Sequence, residues 1–125
     1  MANPNIVNVA AIYGNTSTTS LTTTSATSIV SNASASGKVY KINSIVVANV
    51  DGTSAADITI NIYSAAALGG TATAIASTIS VPADATLIVT DKTTSFYLLE
   101  DRSIGATAGA ANDLVVTCSW EEINS

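Results

Sequence analysis

The chain contains no histidine, so it lacks the commonest general base and the commonest transition-metal ligand. It has one cysteine, Cys118, which excludes an intramolecular disulfide. Lysine and arginine total four (Lys38, Lys41, Lys92 and Arg102) against nine acidic residues, for a formal net charge of −5. Neutralising phosphates takes clustered cations, so no nucleic-acid partner is expected. Nowhere does the sequence approach the ~18 consecutive apolar residues of a membrane-spanning helix. The opening MANPNIVNVAAIYG carries neither a basic region nor an apolar run of the kind that marks a secretory signal. Synthesis and folding in the cytoplasm, with no membrane partner, are therefore expected.

What is present is small and β-branched. The hydrophobic fraction of 47% comes largely from Ala, Val and Ile, while aromatics make up 5%. Period-two alternation dominates. In ADITINIY, Ile58, Ile60 and Ile62 alternate with Asp57, Thr59 and Asn61. Ile75, Ile79 and Val81 share a parity, and Leu114, Val116, Cys118 and Trp120 share another. Asp51-Gly52 has the form of a hairpin turn, Gly69-Gly70 marks a connection, and Pro82-Ala83-Asp84 and Gly109 to Asn112 mark two more. These signals predict strands near 38–50, 56–64, 73–81, 85–91, 95–99, 102–108 and 113–123. The expected fold is an all-β antiparallel sandwich, Ig-like or jelly-roll-like, with an extended N-terminal segment.

Residues 1–37 differ in composition. From Thr16 to Ser36 the chain is almost entirely Ser, Thr and Ala, a mixture that cannot bury enough apolar surface to fold alone. It reads either as one or two further edge strands or as an arm that orders against a neighbouring subunit. The expected division is thus a 1–37 arm or edge-strand segment and a 38–125 sandwich domain. Ile6, Val7, Val9, Ile12 and Tyr13 suit addition to an open sheet edge, and they are the predicted interaction residues.

No catalytic, cofactor or metal site is expected. Asn49, Asp51 and Asp57 are loosely spaced like cation ligands but lack the bidentate glutamate that closes such a loop. Glu100-Asp101 and Glu121-Glu122 are adjacent pairs whose members point to opposite faces, and they read as solvated surface charge. Cys118 shares the parity of Val116 and Trp120, which predicts a buried, inert thiol. An enzyme would require converging acids such as Asp101 with Asp113. A carbohydrate-binding adhesion domain would require Tyr40, Tyr63 and Trp120 on one exposed face.

Three segments carry a resemblance: KINSIVVANVDGTSAADITINIY, ASTISVPADATLIVTDK and FYLLEDRSIGATAGAANDLVVTCSWEEI. Together with the opening residues they resemble small virion structural proteins of tailed phages, notably of T4-like cyanophages. Leu99-Glu100-Asp101 stands where a wider phage pattern has Glu-Glu-Gly in a turn. The resemblance implies a non-enzymatic particle component, foremost a capsid decoration (cement) protein on the virion surface, alternatively a neck, collar or tail accessory. It implies a homo-oligomer, trimeric by preference, that contacts a major capsid protein or another virion protein.

Overall fold

The structure, a computed structural model, describes residues 4–124. Among these residues the strands are β1 (Ala11–Ser20), β2 (Thr27–Asn32), β3 (Lys38–Asn49), β4 (Ala56–Ala65), β5 (Gly69–Val81), β6 (Thr86–Thr90), β7 (Phe96–Leu98), β8 (Arg102–Ala108) and β9 (Leu114–Asn124). A 3-10 turn, Lys92–Thr94, separates β6 from β7. Two antiparallel sheets result. The front sheet has the order β1-β9-β3-β6, with β7 also on β3, and the back sheet has the order β2-β8-β4-β5. Strands β6 and β7 occupy successive parts of one edge, opposite Ile45–Ala48 and Tyr40–Ile42 of β3.

The pairing is that of one long hairpin rolled across two sheets. Its tip joins β4 to β5. Moving away from the tip, β3 meets β6 and β7, β2 meets β8, and β1 meets β9. This is the jelly-roll arrangement of an antiparallel sandwich. Alternation explains why the sheets face each other. Ile42, Ile45 and Val47 of β3, Ile58 and Ile60 of β4, Ile104 and Ala106 of β8, and Val116 and Cys118 of β9 are all 0% exposed. Each buried isoleucine of this core contributes roughly 1.5–3 kcal/mol of hydrophobic stabilisation.

The Ser/Thr-rich stretch lies within the sandwich. Strands β1 and β2 are the outer strands of the front and back sheets, and β1 alternates half-buried and exposed positions from Gly14 to Ser20. A threonine suits such a position, because its branched Cβ fits the pleat and its hydroxyl faces water.

Two local expectations need correction and a third is refined. Asp51-Gly52 does not close a hairpin: β3 and β4 belong to different sheets, and neither residue has positive φ. The loop is instead built on side chains. The buried Asn49 amide donates to the carbonyls of Ser54 and Val81 at 2.9 Å each, and its Oδ1 accepts from the Asp51 N–H. Gly69-Gly70 adjoins the β4–β5 connection but does not form its tip. Ala66, Ala67 and Leu68 form the tip, with φ of 55° and 60° at Ala67 and Leu68, and the glycines begin β5. Finally, Ile75 and Ile79 are 40% and 39% exposed while Ala76 is buried. The register slips between Ile79 and Ala76, with Thr78 at φ 51°, which breaks the parity read from the sequence.

Candidate functional site

A sandwich offers two faces and four edges, and the edges here are unequal. On the back sheet, β2 has six residues and a register shift between Ser28 and Val30, while the β5 pairing shifts three times. On the front sheet, the β6/β7 edge is broken by the insertion Asp91–Ser95, whose turn is capped by the Asp91 side chain. Such interruptions twist an edge out of the plane another strand would need. Strand β1 has none of them. It pairs with β9 over ten consecutive positions without a shift, from Ala11 opposite Asn124 to Ser20 opposite Val115. No Pro, Lys, Arg, Asp or Glu occurs in AIYGNTSTTS. Its far side is an open row of backbone donors and acceptors about 33 Å long. The cations Lys38 and Lys41 guard no edge, because β3 is paired on both sides and Lys38 forms an ion pair with Glu122 at 3.3 Å.

The sequence-predicted interaction residues are divided by the fold. Ile12 and Tyr13 belong to β1, each 55% exposed, and pair with Ile123 and Glu122 of the chain's own β9. Ile6 and Val7 lie in a turn, 52% and 91% exposed, and half-buried Val9 follows without joining a strand. Of the five, Ile12 and Tyr13 lie in a strand of the described chain and Ile6, Val7 and Val9 do not. The turn is fixed locally, with the N–H of Val7 donating to Asn5 Oδ1 and that of Asn8 to the Asn5 carbonyl. Ile6 joins Pro4, Val39, Tyr97 and Leu99 around a shallow apolar groove of about 210 Å³. Val39, three positions from core-facing Ile42, points to the outer face of the front sheet. Beside it in register is Ile123, likewise buried outside the core between the sheets. Period-two reading missed this satellite because it assigns each strand a single apolar face.

The reactive groups do not converge. Asp101 precedes β8 and Asp113 follows the turn beyond it, at opposite ends of a strand about 20 Å long. Among the described residues no three of His, Cys, Asp and Glu cluster as metal ligands. Burial pushes the Cys118 thiol up to about 12, so the thiolate needed for nucleophilic attack is not formed near neutrality. Tyr40 and Trp120 stack with ring centroids 6.2 Å apart and pack against the core of the sandwich, whereas Tyr63 lies on the back sheet. The three aromatics therefore make no common platform. Burial, with the Glu122 carboxylate adding to it, also raises the Tyr40 hydroxyl above its ordinary value. Glu100 is not a solvated surface charge. It is 7% exposed, and neither carboxylate oxygen has a hydrogen-bond partner.

The hairpin tip is the other built feature. It folds over the outer face of the back sheet, where the N–H groups of Ala66, Ala67 and Leu68 donate to Asp101 Oδ1, Ser31 Oγ and Ser103 Oγ at 2.9–3.0 Å. Arg102 Nη1 adds a bond to the Ser64 carbonyl at 2.9 Å. Gly105 lies beneath, where a Cβ would come within 2.7 Å of Leu68 and 2.9 Å of Tyr63. Asp101 itself has φ 55°, in the left-handed region that glycine favours.

No protein-family model matches the chain, and no curated protein matches it. Among solved structures it is similar to one from Bacillus endospore appendages, described as a novel family of disulfide-linked pili. That likeness has a TM-score of 0.54 and 19% identity, covering 90% of this chain and 88% of the other. At this identity the likeness concerns the fold.

Proposed function

We propose that the protein is a non-enzymatic structural subunit whose work is done by surfaces and edges offered to other chains. One observation carries this reading: a ten-residue edge strand, β1, that is regular, uncharged and unblunted. Edges of this kind are normally blocked in proteins that must stay apart, and they are retained where strand pairing is used. Two further points support it. The sequence resembles small virion structural proteins, and the fold is shared with a pilus-type appendage. A decoration protein on a phage capsid, a neck or tail accessory, and a filament subunit all need the same property, a compact domain multiplied through modest repeated contacts. The virion surface, with a capsid or other virion protein as second partner, is the setting the sequence resemblance favours.

The assembly proposed is noncovalent. The neighbouring pili are disulfide-linked, but the single thiol here, Cys118, is 0% exposed in the centre of the sandwich and cannot reach another subunit while the domain is folded. Sedimentation velocity over a concentration series, with and without reductant, tests this. The expected outcome is reversible self-association that reductant does not change. A chain that stays monomeric at every concentration, or that associates only when oxidised, contradicts it.

A further inference from the structure

We infer that the occupant of the β1 edge is β1 of a second copy, antiparallel about a twofold axis, with Thr16 opposite Thr16. This inference rests on the structural-subunit reading and names the partner of its edge. A ten-residue regular edge is satisfied along its whole length only by another of equal length and regularity. Within this chain β2, β5 and β6/β7 are shortened, shifted or broken, which leaves β1 itself. Charge points the same way. Two copies each carrying −5 repel, yet β1 contributes no carboxylate to the contact. The nearest acids, Glu121 and Glu122, lie on β9. Across the joint they are separated by three strand spacings, about 14 Å, beyond the ~8–10 Å over which charges act at ordinary salt.

The register follows from an unsatisfied atom. Ser17 Oγ is buried and has no hydrogen-bond partner. A buried hydroxyl of this kind calls for a partner. On the same core-facing side of β1, the Asn15 amide reaches only the Tyr13 carbonyl, at 3.5 Å. With Thr16 on the axis, Ser17 of each copy stands opposite Asn15 of the other, on one face and at the 4.5–5.5 Å spacing of cross-strand pairs. The Ser17 hydroxyl, covered by its own chain in the monomer, meets that amide donor when its side chain turns toward the joint, and Thr16 meets Thr16 on the outer face. The front sheets of the two copies join into one continuous sheet. The symmetry is twofold, in place of the trimer that the sequence resemblance suggested.

Two substitutions at one exposed position test the pairing on the full chain. Thr16→Cys places two thiols directly opposite, within the 4.4–6.8 Å Cα range of a disulfide. Mild oxidation should give a covalent dimer, while Thr73→Cys on the β5 edge should not. Thr16→Lys places two ammonium groups face to face and should weaken the dimer at least about tenfold by sedimentation, with an unchanged circular dichroism spectrum showing that the domain still folds. Absence of the Thr16→Cys cross-link, together with unaltered association of Thr16→Lys, overturns this partner while self-association itself stands. A wild-type chain that never associates overturns both readings at once.

Discussion

Two residues concentrate the consequences of burial. Cys118 keeps its proton in the folded chain up to about pH 12, whereas the unfolded thiol ionises near 9. Between those values the folded state binds more protons, so stability is full below pH 9 and falls as pH rises. The slope is about 1.4 kcal/mol per pH unit, an upper bound because solvent relaxation reduces it. Denaturant melts of the wild type and Cys118→Ala between pH 8 and 11 should show the slope flattened in the variant, leaving the smaller contribution of Tyr40, which has the same sign. Parallel slopes would place Cys118 in contact with water. Glu100 presents the opposite problem, a carboxylate 7% exposed whose oxygens lack donors. Burying polar atoms without partners costs stability, so Glu100→Met, which removes both oxygens at similar volume, should stabilise the domain by roughly 1–3 kcal/mol. A loss of stability on chemical denaturation would show instead that the carboxylate is paired.

At the scale of elements, the hairpin tip makes the sharpest claim. Three consecutive N–H groups, from Ala66 to Leu68, are satisfied by side chains from two other strands and a turn, and this permits φ of 55° and 60° at non-glycine residues. Asp101→Ala removes the Ala66 acceptor while leaving the left-handed turn at 101 and should cost about 1–3 kcal/mol in a thermal or denaturant melt. An unchanged midpoint would mean that the tip does not depend on this carboxylate. The same tip shows what sequence could and could not reveal. Strands β4 and β9 were legible because Ile58, Ile60 and Ile62, and Leu114, Val116 and Cys118, recur with period two. Turn identity was not, because Asp51-Gly52 and Gly69-Gly70 have local hairpin chemistry while Asn49, Ser31 and Ser103, distant in sequence, decide the geometry. The satellite of Val39 and Ile123 was hidden for a related reason. The segment that lines the groove beside Val39 is a turn with no periodicity. Strand β1 is ambiguous in sequence for a different reason, since Ser/Thr composition suits an edge strand and an extended arm alike.

For the whole molecule, the jelly roll buries its apolar side chains between two sheets and leaves chemistry-bearing groups scattered. Asp101 and Asp113 sit at opposite ends, Cys118 is sealed, and Tyr63 is a sheet away from Tyr40 and Trp120. What remains concentrated in one place is hydrogen-bonding capacity along β1. Hydrogen–deuterium exchange of Ala11–Ser20, followed from dilute to concentrated protein, measures whether that capacity is used. The account predicts that the outward-facing β1 amides, every second residue because the others bond to β9, exchange rapidly in the dilute monomer and slow at least about tenfold on association, while β5 amides change little. Protection that appears elsewhere and leaves β1 exchanging at its monomer rate would contradict it.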